Sequence, residues 1–283
     1  MLLFSQPTTK PCLEKSLCET FSFKVVEKSP PSDSPYFSYE GNILSLHLDT
    51  KTDLKKDLMP SKKPTYQPLS FDFIETWKKI KQGPKGQKKK DPLLKAISLK
   101  KAPKSTPLNL IDATCGTGKD SLFFIKQGIK VMAYERSPFL APLLWDAQRR
   151  ALSDPELGPI LEENFFLSFL DAKNHKKNLE SPDVHTQIQS KDTAVFLKPD
   201  LIFLDPMFPP KRKKALPKKE MVLFSHLVGP DEDQENLLSW AIDTKPQRVI
   251  VKRPLWATPP KEFPPHTSYQ GKTVKFDTYF PNL

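Results

Sequence analysis

The stretch LNLIDATCGTGKD, residues 108–120, decides the fold of this chain. Its apolar start, LNLIDA, predicts a buried β-strand, and the following DSLFFIKQG predicts a helix that ends at Gly128. Gly116 and Gly118 lie directly after the strand and directly before the helix. Glycines in that context let the backbone turn tightly and approach a ligand. The stretch is therefore typical of a nucleotide-binding loop, and the alternative is an ordinary strand–helix turn.

Strand and helix patterns alternate after this loop. Further strands are predicted at IKVMAYE, NFFLSFLDA, PDLIFLDP and QRVIVKRP, and further helices at SPFLAPLLWDAQRRAL and DQENLLSWA. The last apolar run, TVKFDTYF, predicts an edge strand. This alternation favours an α/β fold with a mainly parallel sheet. We expect a Rossmann-like domain over residues 105–283.

The residues before this domain show shorter strand and helix patterns. ILSLHL, from residue 43, alternates like a strand, and SFDFIETWKKIKQ, from residue 70, predicts an amphipathic helix. Phe73, Ile74 and Trp77 fall on one face of that helix. We expect residues 1–104 to form a small N-terminal α+β subdomain that ends in a basic arm.

Glu135 ends the second strand, nineteen residues after Gly116. An acid at about this distance accepts hydrogen bonds from ribose hydroxyls. The loop lacks the dinucleotide pattern GxGxxG, and its D-x-T-C-G-T-G is close to the D-x-G-C-G-T-G loop of class I methyltransferases, with Thr114 at the first glycine position. Asp112, Gly116 and Gly118 are therefore candidate cofactor-binding residues.

Asp171 follows the third strand. In this architecture such an acid resembles the one that accepts the adenine amino group, with Leu170 beside it. The alternative is an aspartate that caps the following turn.

The fourth strand ends in Asp205-Pro206-Met207-Phe208, which resembles the (D/N)-P-P-(Y/F) motif of enzymes that methylate amino groups on planar bases. Such an amine is a poor nucleophile because its lone pair is delocalised into the ring. Asp205 and the Pro206 carbonyl are candidate acceptors for the amine hydrogens, and Phe208 is a candidate stacking partner for a flipped base. The alternative is a proline-rich turn after a buried strand.

Basic residues outnumber acidic ones, 44 to 33, which gives a net charge of +11. That excess favours a polyanionic partner, although a basic protein without one has the same composition. Two lysine-rich segments are candidate RNA contacts, and solvated linkers are the alternative. The candidates are Lys88, Lys89, Lys90, Lys211, Arg212, Lys213, Lys214, Lys218 and Lys219.

Three cysteines and five scattered histidines predict neither a disulfide framework nor a metal site. No run of about 18 apolar residues is present, and the start of the chain is too weakly apolar for a signal peptide. We expect a cytoplasmic protein with no membrane segment and no metal. The sequence does not indicate an oligomeric state.

Several segments together resemble the RsmJ family, the bacterial small-subunit ribosomal RNA guanine-N2 methyltransferases. The matching pieces are Asp112 to Asp120, Glu135-Arg136, Leu204 to Pro209, Lys211 to Met221, Phe224 to Asp231 and Val249 to Pro254. The resemblance covers residues 108–256 well and the flanking residues more loosely. Residues 172–198 are longer and more polar than the family's corresponding segment.

The resemblance implies a class I Rossmann-like S-adenosylmethionine methyltransferase. It implies a guanosine near the 3′ end of small-subunit (16S) rRNA as the substrate, in naked rRNA or in the assembled subunit. The implied cofactor contacts are Lys119, Asp120, Glu135, Arg136, Leu170, Asp171 and Asp205.

Three other functions are alternatives. A methyltransferase for another exocyclic amine, such as adenine N6 in RNA or DNA, has the same kind of acceptor loop, because both bases present a planar amino group. A non-catalytic RNA-binding protein would be expected to lack an intact loop or Asp205, and both are present. A dehydrogenase would be expected to have a third loop glycine and no D-P-M-F sequence.

Overall fold

A computed structural model gives the three-dimensional structure of the chain. The structure describes residues 1–4, 11–26, 35–47, 68–83, 91–98, 107–180, 194–208, 229 and 231–282. The helices are α1 Pro11–Phe21, α2 Phe73–Gln82, α3 Pro92–Ile97, α4 Lys119–Lys126, α5 Ala141–Ala151, α6 Leu157–Asn164, α7 His175–Glu180 and α8 Gln234–Asp243. The strands are β1 Leu2–Phe4, β2 Lys24–Val26, β3 Tyr36–Glu40, β4 Ile43–His47, β5 Asn109–Asp112, β6 Lys130–Tyr134, β7 Phe165–Ser168, β8 Leu201–Leu204, β9 Arg248–Pro254, β10 Thr267–Gln270 and β11 Val274–Tyr279.

The chain forms two compact units, each built from separate stretches of sequence. The first comprises Met1–Asp72, Ser137–Arg150 and Arg212–Gly229, and the second comprises Phe73–Arg136, Ala151–Lys211 and Pro230–Leu283. Helices α2 and α3 thus belong to the second unit, although they precede residue 104. The predicted boundary between residues 104 and 105 lies outside the described residues and stays a prediction.

The first unit contains a four-stranded mixed sheet in the order β2-β1-β3-β4. β1 pairs in parallel with β2 and β3, and β3 and β4 form an antiparallel hairpin whose turn holds Gly41 at φ +63°. The buried carboxylate of Asp146 on α5 accepts a hydrogen bond from the Leu44 amide at 3.0 Å and pairs with Arg150 Nε at 2.9 Å. The sheet and helix α1 give this unit the expected α+β character.

The second unit contains a seven-stranded sheet in the order β10-β11-β9-β8-β5-β6-β7. The five strands from β9 to β7 are parallel, as predicted. β11 runs antiparallel to β9 and to β10. The prediction that TVKFDTYF forms an edge strand is wrong: this segment, β11, is internal, because β10 folds back on its outer side.

Apolar side chains explain why the central strands form. β7 and β8 are buried along their whole length, which is typical of parallel strands covered on both faces. One buried cluster joins Ile111, Ile202 and Val249 on neighbouring strands with Leu237 and Leu238 on α8. This core fixes the strand ends, and the loops at those ends carry the candidate site. No helix in the described ranges is long and apolar enough to cross a membrane.

Candidate active site

The loop between β5 and α4 has a backbone that requires its glycines. Gly116 and Gly118 adopt φ values of +59° and +76°, in the left-handed region that side chains with a Cβ rarely enter. Helix α4 begins at Lys119, so the amides of its first turn face the loop. β5 lies between β6 and β8, where the strand order reverses and open α/β sheets bind ligands.

Asp112 lies beneath this loop and is almost fully buried, with 1% of its surface exposed. Its carboxylate accepts hydrogen bonds from Ser121 Oγ at 2.6 Å and from the Thr114 amide at 3.2 Å. Burial raises the pKa of Asp112 to about 7, although the Ser121 hydrogen bond opposes the rise. These contacts show that Asp112 shapes the loop from within.

Glu135, at the end of β6, is held next to the loop. Its Oε2 accepts a hydrogen bond from the Gly116 amide at 2.8 Å, and the residue is buried. A carboxylate in this place can reach a ligand lying over the glycines. The structure therefore brings together the acid and the loop that the sequence paired by their nineteen-residue spacing.

Thr114 joins the loop to the candidate acceptor motif. Its Oγ1 accepts a hydrogen bond from the Asp205 amide at 2.6 Å. A glycine at this position has no such acceptor, so the departure from the common glycine pattern has a structural reason. The contact joins the two segments that follow the paired strands β5 and β8.

Lys252 on β9 bridges two carboxylates. Its Nζ lies 2.6 Å from Asp120 Oδ2 and 2.8 Å from Asp205 Oδ2. Burial lowers the pKa of Lys252, but Asp205 and Asp120 more than offset this and raise it above its ordinary value. The ammonium group is therefore charged, and it links the first turn of α4 to the end of β8.

Arg136 is surrounded by carboxylates. Its guanidinium contacts Asp233 at 2.6 and 2.8 Å, Asp231 at 2.9 Å and Asp171 at 3.1 Å. Lys173 adds a second cation that contacts Asp233. The described contacts of Arg136 therefore hold three loops together at the ends of the parallel strands.

Asp231 also clamps the acceptor motif. Its Oδ2 accepts a hydrogen bond from the Met207 amide at 2.6 Å, and its own amide donates to the Met207 carbonyl at 3.1 Å. Gln234 Nε2 donates to the same carbonyl at 3.2 Å. Asp231 thus connects Arg136, next to the candidate ribose acid, with the D-P-M-F sequence.

Phe208 borders a cleft of about 780 Å³. The Trp256 ring stands edge-to-face with Phe208 at 6.4 Å, and the Arg253 guanidinium lies 5.6 Å from the Phe208 ring centre. Trp256 is 41% exposed, and residues 231–236 and 256–261 complete the cleft wall. The cleft offers aromatic surface next to acidic side chains.

Comparisons with known proteins agree on the family. The sequence matches the family described as "Putative SAM-dependent methyltransferase" over residues 41–281. Ribosomal RNA small subunit methyltransferase J of Pseudoalteromonas translucida is 35% identical over 238 residues, covering 83% of this chain and 84% of that protein. The protein of that name from Pseudoalteromonas atlantica is 32% identical and covers 93% of this chain and 97% of its own. The chain belongs to the ribosomal RNA small subunit methyltransferase J family.

A solved structure supports the same fold. The SAM-dependent methyltransferase from Neisseria gonorrhoeae superposes with a TM-score of 0.67 at 26% identity, covering 100% of this chain and 96% of that chain. Together with the family match, this confirms a Rossmann-like methyltransferase fold and S-adenosylmethionine as the cofactor. Because the chain belongs to a methyltransferase family, the two alternatives of a non-catalytic RNA-binding protein and of a dehydrogenase are wrong.

For Asp171 the structure supports the alternative interpretation, an aspartate that caps the following turn. Its Oδ1 accepts a hydrogen bond from the Lys173 amide at 2.8 Å, so it caps the 3₁₀ turn Ala172–Asn174. Leu170 beside it is half-buried, and Lys119 at the start of α4 is exposed. Cofactor contacts by these three residues stay predictions.

The candidate RNA-binding residues lie outside the described residues: Lys88, Lys89, Lys90, Lys211, Arg212, Lys213, Lys214, Lys218 and Lys219. In the described ranges, no group of three or more histidine, cysteine, aspartate or glutamate side chains is arranged to hold a metal.

Sequence reasoning missed the roles of Lys252, Asp231 and Trp256. One signal for Lys252 was present: a lysine at the end of the buried apolar run VIV predicts a cation that needs a carboxylate partner. Asp231 and Trp256 lie in and just after segments that match the family, but no local pattern indicated what they contact.

Proposed function

We propose that the chain transfers a methyl group from S-adenosylmethionine to the exocyclic N2 amine of a guanosine near the 3′ end of small-subunit (16S) rRNA, in the cytoplasm. The observation that carries the proposal is the position of Asp205. Its carboxylate lies at the end of β8, its amide is bound to the cofactor loop through Thr114, and Pro206 and Phe208 follow at once. The names of the 32% and 35% identical relatives support small-subunit rRNA as the substrate.

The residues at the strand ends fit the cofactor. Glu135 is a buried carboxylate beside a left-handed glycine, and this arrangement suits two ribose hydroxyls. Asp120, in the first turn of α4, suits an ammonium group. We assign further cofactor contacts to Gly116, Gly118, Lys119, Arg136, Leu170, Asp171 and Asp205. Asp112 belongs to the cofactor site through the loop backbone that its carboxylate holds. When bound, S-adenosylmethionine supplies a methyl group activated by the sulfonium.

The acceptor loop addresses the weak nucleophilicity of the amine. Asp205 and the Pro206 carbonyl accept hydrogen bonds from the N2 hydrogens, which directs the nitrogen lone pair towards the methyl carbon. With S-adenosylmethionine bound, the lone pair would form the new N–C bond as the S–C bond breaks, and the electrons of that bond would stay on sulfur. N2 then gives one proton to the Asp205 carboxylate. Asp205, Pro206 and Phe208 are the proposed catalytic residues.

Phe208 holds the flipped base by stacking on its ring. The Arg253 guanidinium and the edge-on Trp256 ring contact Phe208 and hold it in place. The two lysine-rich segments contact the flanking phosphates. Contacts of this kind make rRNA binding strong at low salt and weak at high salt.

Methyl transfer from labelled S-adenosylmethionine tests the proposal. The purified chain is incubated separately with naked small-subunit rRNA, isolated small ribosomal subunits, tRNA and DNA, and the labelled nucleosides are separated. We expect N2-methylguanosine in one or both of the first two samples. N6-methyladenosine as the labelled product, or transfer to tRNA or DNA alone, would overturn it.

A further inference from the structure

Lys252 is a charged side chain that directly follows three buried apolar residues of β9, Val249, Ile250 and Val251. β9 is buried at four successive positions, 248–251, and Lys252 follows them with 24% of its side chain exposed. A cation in such a place is stabilised only by nearby negative charge. Asp120 and Asp205 provide that charge from α4 and from the end of β8.

The carboxylates around Asp205 repel one another. The negative charges of Asp120 on α4 and of Asp231 before α8 raise the pKa of Asp205. The charge of Asp205 in turn raises the pKa of Asp112 at the end of β5. Burial raises the pKa of Asp205 above its ordinary value, Lys252 opposes that rise, and Asp120 adds to it. Lys252 is the cation that faces Asp205 among the described residues.

We propose that Lys252 is a positioning residue that keeps the Asp205 carboxylate ionised and leaves its Oδ1 facing the substrate amine. The inference rests on the proposed function, since it assigns Asp205 to the amine. Lys252 contacts Oδ2 at 2.8 Å, which restricts rotation of the carboxylate. A protonated Asp205 has a hydroxyl donor in place of one acceptor, and it cannot take the proton that N2 loses.

The bridge has a second consequence. Lys252 holds Asp120, a proposed cofactor contact, and Asp205, the proposed acceptor, with one ammonium group. Lys252 therefore adds an ionic link between the two halves of the site to the hydrogen bond from the Asp205 amide to Thr114.

The charge on Asp205 is measured first, in a way that needs no substrate. Protein with ¹³C-labelled aspartate carboxyls is titrated by NMR, and the Asp205 signal is assigned by its loss in Asp205→Asn. We expect Lys252→Met to raise the titration midpoint of Asp205 by about 1–3 pH units, and Lys252→Arg to restore it. Lys252→Gln is the second uncharged variant should the Met variant not fold.

Single-turnover methyl transfer is then followed from pH 6 to pH 9. Lys252→Met is expected to lose about 10-fold or more at pH 6.5, in line with the shift in midpoint, and to recover most of the rate at pH 9. Lys275→Met is the matched control. It removes a half-buried lysine from the neighbouring strand β11, 3.9 Å from Asp277, and should keep the wild-type profile.

The outcomes separate the two proposals. An Asp205 midpoint that is unchanged in both uncharged variants, or a rate loss that is equal at every pH, would overturn the role of Lys252 and make it structural. Absence of guanosine methylation by the wild type would overturn the proposed function, while the NMR midpoints would still decide whether Lys252 holds Asp205 ionised.

Discussion

Asp112 and Asp205 end two neighbouring parallel strands, β5 and β8, yet their surroundings differ. Asp112 is 1% exposed, and its oxygens accept hydrogen bonds from Ser121 and Thr114. The Asp205 side chain is 36% exposed and pairs with Lys252. The same topological position therefore gives one acid that builds the cofactor loop and one that can face a second substrate. The partners, and not the residue type, separate the two roles.

The largest expected effect is that of changing Asp205, the more exposed of the two aspartates. Asp205→Asn keeps the shape but places a donor where an acceptor meets the amine hydrogens. We expect single-turnover methyl transfer, with saturating cofactor and rRNA, to fall by about 10²–10³-fold. Cofactor affinity should change less.

The matched control for this variant is Asp200→Asn. Asp200 precedes β8 at its other end, where it accepts a hydrogen bond from the Asn109 amide at 2.9 Å. It should keep the wild-type rate within about two-fold, since surface changes away from the site have small effects. An Asp205→Asn variant that retains more than half the wild-type rate would make Asp205 a structural residue, as Asp112 is.

Glu135→Ala tests the cofactor side directly. Hydrogen bonds to a charged group contribute about 1.5–3 kcal/mol, so cofactor affinity should fall by roughly 10- to 100-fold. Titration calorimetry with S-adenosylmethionine measures this. Glu162→Ala, at an exposed position of α6, is the control. Equal affinities for the two variants would remove Glu135 from the ribose site.

Asp112→Asn tests the buried aspartate of the pair through the pH dependence of stability. The pKa of Asp112 is raised in the folded state to about 7, so the folded chain holds this proton more tightly than the unfolded chain. Stability from this proton is present at low pH and is lost as the pH rises through about 7. Between pH 5 and 7.5 we expect the wild-type free energy of unfolding to fall by about 1–3 kcal/mol more than that of the variant.

Urea unfolding of the two proteins across this pH range gives the difference. Turnover of Asp112→Asn should change much less than that of Asp205→Asn, because its carboxylate is used within the protein. Parallel pH curves for wild type and variant would contradict the raised pKa of Asp112.

The smallest expected effect concerns rRNA binding alone. Replacing Lys88, Lys89 and Lys90 by Gln should lower the slope of log affinity against log salt by about 2 units, since each lost phosphate contact contributes about 0.7–0.9. Cofactor affinity should stay the same. A triple change to Gln at the exposed lysines 176, 177 and 272 is the control. A slope equal to that of wild type would make the 88–90 segment a plain linker.

Sequence alone determined those features that depend on local patterns. The strand, the glycine turn and the helix from 109 to 126 follow from apolar periodicity and from two positions that need a left-handed backbone. The spacing from Gly116 to Glu135 is also local, because one strand–helix–strand unit brings them together. The position of Asp205 follows from a buried apolar run that ends in a proline.

Only the tertiary structure decided which charged and polar groups contact one another. Lys252 reaches Asp205 across 47 residues, the Thr114 hydroxyl meets the Asp205 amide across 91, and Arg136 meets Asp231 across 95. These pairs depend on the order of strands in the sheet and on the loops at their ends, and no period in the sequence encodes that order. The misplaced edge strand has the same cause, since β10 is short and largely exposed and leaves no apolar pattern to read.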